Sequence, residues 1–159
     1  MQILNDSDRE IVKTRFENEL VSEVNITLFT QTDLGGLIVP GRECETCAPT
    51  EQLLREVSET SELINFKKLD IRNDTEEAAR CNVSRIPSFL VSKGDETNVR
   101  YLGIPAGTEF PVLIEALVNV SSGEPKISEE TKGFLEDLEE NVSIKTFVTP
   151  NLTVLPRCG

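Results

Sequence analysis

The sequence predicts an α/β domain built as a central mixed β-sheet flanked by helices. Two observations lead there. Segments with apolar residues at helical spacing alternate with short β-branched runs bounded by turn residues, the alternation expected of strands joined by crossover helices. The 159 residues, 38% hydrophobic and 28% charged, suffice for one packed domain plus an appendage and fit neither a disordered nor a collagen-like chain.

Asp6 or Ser7 stands where it would cap a first helix, with Ile11, Val12, Phe16 and Leu20 on one face. "VNITLFT" (24–30) reads as a strand, and the loop "QTDLGGLIVPGRE" (31–43) breaks both periods through Gly35, Gly36, Pro40 and Gly41. Leu53, Leu54 and Val57 mark a helix after "CETC". Then come "LINFKKLDI" as a strand, "DTEEAARC" as a short helix, and "SFLVSKGDETNVRYLG" as two strands about a Lys93-Gly94-Asp95 turn. "EFPVLIEALVNV" closes the domain as an amphipathic helix that tolerates Pro111 in its first turn. The order β-α-β-α-β-β-α behind one extra N-terminal helix is that of the thioredoxin fold.

Charge and cysteine content bound the function. Sixteen Lys and Arg against 28 Asp and Glu give −12, a surface that repels nucleic-acid backbones and anionic lipid, so neither nucleic acid nor membrane is expected as a partner. No stretch approaches the roughly 20 apolar residues of a spanning helix, and "MQILNDSDREIV" has neither a basic leader nor an apolar core. The chain is therefore expected in the cytoplasm, where the sequons at Asn25, Asn82 and Asn151 carry no weight. Four cysteines in that compartment point to catalysis or metal rather than to a disulfide framework.

Cys44 and Cys47 are spaced as CxxC between a strand-and-loop and a helix. That context places Cys44 near the helix N-cap, where unpaired N–H groups and the helix dipole favour a thiolate, with Cys47 close enough to form a disulfide. Half a zinc site is the rival reading, in which Cys44, Cys47, Cys81 and Cys158 would form a Cys₄ set. The second close-spaced pair usual in such sites is missing.

"CETC", "NVSRIPSFLVSKGDETNVRYLGIPAGTEF" and "EETKGFLEDLEENVSIKTFVTP" together resemble the archaeal and bacterial protein disulfide oxidoreductases, glutaredoxin-like proteins of two thioredoxin-fold units, over about residues 6–150. The amino-terminal domain of the alkyl hydroperoxide reductase flavoprotein shares that plan more distantly. The resemblance implies a cis peptide at Ile86-Pro87, opposite the CxxC, offering main-chain hydrogen bonds to a bound polypeptide. It implies a thiol–disulfide oxidoreductase in which Cys44 attacks a protein disulfide and Cys47 resolves the mixed disulfide. No cofactor beyond the cysteine pair is then needed. The partners are protein thiols and disulfides and a thioredoxin-reductase-like donor. The alternative is a thioredoxin-fold module that holds a polypeptide near Pro87 without turnover. With no histidine in the chain, activation falls to the helix terminus and to local charge: Glu43 and Glu45 would raise the Cys44 pKa and Arg42 would lower it.

Three features depart from this pattern. The 34–42 loop lengthens the approach to Cys44, and its Leu37-Ile38-Val39 either forms a lid or docking surface or packs on the domain. Cys81 reads as a packed core thiol, and Cys158 as a spectator or an intermolecular partner. Lastly, "VSIKTFVT" (142–149) repeats "VNITLFTQ" (24–31), matching Val142 to Val24, Ile144 to Ile26 and Phe147 to Phe29. A redox domain over 1–122 is expected, followed by 123–159 as a linker helix and the first strand of an incomplete second unit, with Leu152 and Leu155 where a second CxxC would fall. Either a longer gene has been cut short, or the tail strand of a single-unit protein pairs elsewhere, as across a homodimer.

Overall fold

The computed structural model describes residues 3–31, 44–94, 96–124, 127–140, 142 and 144–147. Its elements are α1 (Asp6–Glu19), β1 (Val24–Thr30), α2 (Cys47–Ser58), β2 (Ile64–Asp70), α3 (Thr75–Arg80), β3 (Ser88–Lys93), β4 (Glu96–Leu102), α4 (Phe110–Ser122) and α5 (Glu129–Glu136), with a 3₁₀ turn at Gly107–Glu109 ahead of α4. The chain divides into two compact units, Met1–Glu124 and Pro125–Gly159.

In the first unit the order is that of the thioredoxin fold. The sheet runs β2-β1-β3-β4, with β1 parallel to β2 and antiparallel to β3, and β3 antiparallel to β4. β1 is central, and side chains alternate across it. Val24, Ile26 and Leu28, with Phe89 and Val91 of β3, join the large core formed with α1, α2 and α4. Phe29, Leu69 and Leu90 point the other way into a smaller cluster with Ala78 and Val83, capped by the short α3. Phe89 stacks on Tyr101 across the β3–β4 ladder, ring centroids 5.1 Å apart. Gly94 after β3 has φ +60°, a conformation that disfavours side chains; Asp95, the last residue of the expected turn, lies outside the described residues.

Two details of α1 differ from the sequence expectation. Asn5, not Asp6 or Ser7, is the cap: its side chain accepts from the Asp8 N–H at 2.8 Å. Ile11 is 64% exposed while Val12, Phe16 and Leu20 are buried. At about 100° per residue, positions 12, 16 and 20 fall within one narrow stripe and position 11 lies outside it.

In the second unit, Ser128 caps α5 by accepting from the Thr131 N–H, and no residue of that helix is buried. Phe134, Leu135 and Leu138 are exposed, as are Val142, Ile144 and Phe147. The expected strand at 142–149 is not formed over its described residues, 142 and 144–147. A strand is held by ladder bonds to a neighbour, and none stands beside this one among the described residues of the unit. Leu152, Leu155 and Cys158 lie outside the described residues.

Candidate redox site

β1 and β2 are parallel, so the chain must return from the end of one to the start of the other, and α2 makes that return. Only residues 59–63 separate its last turn from β2, which fixes the opposite end of α2, at Cys47, near the exit of β1. There Cys44 and Cys47 are joined as a disulfide, with Cα atoms 5.4 Å apart. Cys44 is half-buried, whereas Cys47 is only 4% exposed.

The helix begins later than the sequence suggests. Thr46 is the N-cap and Cys47 the first helical residue, so Cys44 sits two residues ahead of the cap rather than on it. The Cys47 N–H donates to the Cys44 carbonyl at 3.3 Å, closing the turn that carries the pair. Thr50, fully buried, donates its hydroxyl to the Thr46 carbonyl at 2.6 Å. Pro49 brings no N–H to a turn where one would lack an intrahelical partner anyway. Arg42, Glu43 and the Leu37-Ile38-Val39 cluster lie outside the described residues.

The Ile86-Pro87 peptide is cis, as the resemblance implies. Pro87 is buried immediately before β3, whose first residue, Ser88, pairs with Phe29 near the exit of β1, and the Pro87 carbonyl accepts from the Gly103 N–H at 2.9 Å. The proline turn and the cysteine turn therefore open at the same end of the sheet. Ile86 and Cys81, both half-buried, pack on the Phe29, Leu69 and Leu90 cluster beneath that end. Cys81 carries a free thiol and is less enclosed than a core cysteine. Among the described residues, no group of three or more His, Cys, Asp or Glu is placed to hold a metal ion.

Sequence reasoning passed over Glu56. This carboxylate is 2% exposed on the helix that carries the pair, and it accepts from the backbone N–H groups of Ile3 (3.0 Å) and Leu4 (2.7 Å) and from Gln52 Nε2 (2.7 Å). Burial pushes its pKa up, but the bonds from Gln52, Leu4 and Ile3 and the charge of Arg9 outweigh this and hold it below the ordinary value. The signal was available: position 56 follows Leu53 by three, so an acid sits on the apolar face of α2 and must find partners. Glu51 ties the same helix to β2 through Lys68 at 2.7 Å.

Fold and site together define the class: a thioredoxin-fold protein with a CxxC disulfide at the head of the helix that follows its central strand. Comparison with known proteins agrees. A protein disulfide oxidoreductase from Aeropyrum pernix k1 superposes with a TM-score of 0.72 at 24% identity, covering 87% of this chain and 56% of that one. The alkylhydroperoxide reductase AhpF of Enterococcus faecalis gives 0.69 at 19% identity, covering 83% and 59%. In sequence, the chain is 30% identical over 100 residues to the corresponding component of alkyl hydroperoxide reductase from Staphylococcus aureus and 33% identical over 100 residues to that from Staphylococcus epidermidis. Each match covers 62% of this chain and 17% of the relative, so the chain spans under a fifth of their length. No protein-family model matches the chain.

Proposed function

We propose that the chain is a glutaredoxin-like thiol–disulfide oxidoreductase acting on protein disulfides. The observation that carries this reading is the Cys44–Cys47 disulfide itself, with one sulfur-bearing residue accessible and the other buried, at the sheet end where the cis-proline turn opens. In the reduced protein, the Cys44 thiolate attacks one sulfur of a substrate disulfide. That bond breaks, and the departing thiolate takes up a proton. Cys47, deprotonated, then attacks the Cys44 sulfur, expelling the second substrate thiol and closing the Cys44–Cys47 bond. Two electrons pass from the pair to the substrate, and an external dithiol donor restores them; run backward, the same steps oxidise. Ile86 and Pro87 supply the main-chain edge on which the polypeptide lies.

The cysteine pair is the only redox group this scheme uses. Likeness to part of a reductase favours a reductase-type donor, here taken as thioredoxin-reductase-like. Among the described residues no helix is long and apolar enough to cross a membrane. The cytoplasm is the compartment in which such a pair would be kept turning over. The second unit is read as the start of a further thioredoxin-like unit and as a contact for a homodimer, on the strength of its repeat of β1 and its exposed apolar residues. Insulin reduction in the presence of dithiothreitol tests the activity. Precipitation of the freed chains should run ahead of the dithiothreitol background, whereas a module that only holds polypeptide would leave that background unchanged.

A further inference from the structure

Arg72 and Arg85 occupy comparable places on either side of the central strand. The Ile71 N–H donates to the Thr30 carbonyl at 2.9 Å, so the chain leaving β2 passes the exit of β1, and Arg72 is the next residue. Arg85 lies two residues before Pro87, on the approach to β3, which flanks β1 on the other side. Both are exposed. Among the described residues neither side chain makes a hydrogen bond or ion pair, while every other described arginine does: Arg9 with Glu59, Arg15 with Glu19 and Glu115, Arg55 with Glu51, Arg80 with Glu77, and Arg100 with the carbonyls of Cys81 and Asn82. In a chain with twelve more acids than bases, two unpaired guanidinium groups at the redox end stand out from the rest of the surface. The two carboxylates that flank Arg72 in sequence are engaged by backbone N–H groups of their own turn. Asp70 accepts from the Arg72 and Asn73 N–H groups, and Asp74 accepts from the Asp70 N–H. Glu45, exposed between the two cysteines, is the acid facing outward from the cysteine turn.

We propose that Arg72 and Arg85 make the rim of this site a recognition surface for protein disulfides flanked by Asp or Glu. The proposal rests on the reading of Cys44–Cys47 as the reactive pair. A guanidinium presents a planar fork of donors matched to a carboxylate, and a charge at the rim acts mainly on the rate of encounter. Glu45 disfavours a substrate carboxylate placed over the cysteines themselves, so the preferred acids lie to either side of the reacting disulfide, toward the two arginines.

The test uses the full chain, dithiothreitol as donor, and three disulfide-bridged peptides of one scaffold that carry Glu, Gln or Lys on both sides of the bridge. The ratio of kcat/KM for the Glu peptide to that for the Lys peptide should exceed one by about tenfold at low salt. It should fall toward one near 1 M salt, where the screening length is about 3 Å. In R72A/R85A the ratio should drop to one or below, and R72K/R85K should retain part of it. Matching thermal midpoints across the variants would exclude unfolding as the cause. A wild-type preference for the Lys peptide, set by the net charge, would overturn the proposal, as would a Glu preference that the double substitution leaves intact. If the wild-type chain reduces none of the peptides, nor the small neutral bis(2-hydroxyethyl) disulfide, the failure lies with the oxidoreductase reading instead.

Discussion

Cys44 and Cys47 are three residues apart yet differ in access. The first is half-buried in the turn ahead of α2, and the second is almost wholly covered as the first residue of the helix. Nucleophilic attack on a macromolecular disulfide requires an exposed sulfur, and resolution requires only the reach of the neighbouring one. Replacing Cys44 by Ser should therefore reduce turnover to background, while Cys47→Ser should accumulate a mixed disulfide visible as a shifted band on a non-reducing gel. Limiting iodoacetamide on the reduced protein should label Cys44 first, as read by peptide mass mapping; earlier labelling of Cys47 would reverse the assignment of roles.

At the scale of elements, α2 begins at the cysteine pair and is held from several sides. Glu56 binds it to the N-terminal segment through the Ile3 and Leu4 N–H groups. Replacing Glu56 by Ala leaves the buried Leu4 N–H and the part-buried Ile3 N–H without their acceptor and should cost about 3 kcal/mol in urea unfolding. The pH dependence follows from the sign of the shift. Folding lowers this pKa, so the unfolded chain binds more protons near pH 4; the stabilisation is complete above the unfolded value and is lost as pH falls through the folded one. Stability measured between pH 6 and 3 should thus fall more steeply for the wild type than for Glu56→Gln. A second junction lies at Ser121 of α4, fully buried, whose hydroxyl oxygen accepts from the Val21 and Ser22 N–H groups at 2.9 Å and whose carbonyl accepts from Lys93 Nζ at 2.8 Å. Ser121→Ala should lower stability by about 2 kcal/mol, because both N–H groups lose their acceptor where α1 hands over to β1.

For the whole molecule, the first unit contains the sheet, both apolar clusters and the cysteine pair. The second exposes Phe134, Leu135, Leu138, Val142, Ile144 and Phe147. Apolar residues displayed in this way promote association between chains, the more so where the sequence is prone to form strand. Deleting residues 142–159 should leave insulin reduction largely unchanged and lower the weight-average mass seen by sedimentation. A deletion that abolished activity would mean that the first unit depends on the tail.

In the first unit the element order is legible in the sequence, because each helix and strand there advertises its period locally, and β1 falls where "VNITLFT" places it. The cysteine pair that forms the disulfide is legible there too, since the three-residue spacing of Cys44 and Cys47 ahead of a helix is a local property. The cis bond at Ile86-Pro87 was legible only through resemblance, because X–Pro sequences are mostly trans. Other features were decided by tertiary structure. Ile11 looked like a core residue until the packing direction of α1 was known, and Glu56, an acid on the apolar face of α2, finds its partners only in the N-terminal segment that closes over it. The plainest case is the repeat. Val24, Ile26 and Phe29 are fully buried, while their counterparts Val142, Ile144 and Phe147 are 63%, 87% and 89% exposed. The pattern of a strand is written in its own residues, but its burial depends on neighbouring strands and covering helices contributed by distant parts of the chain.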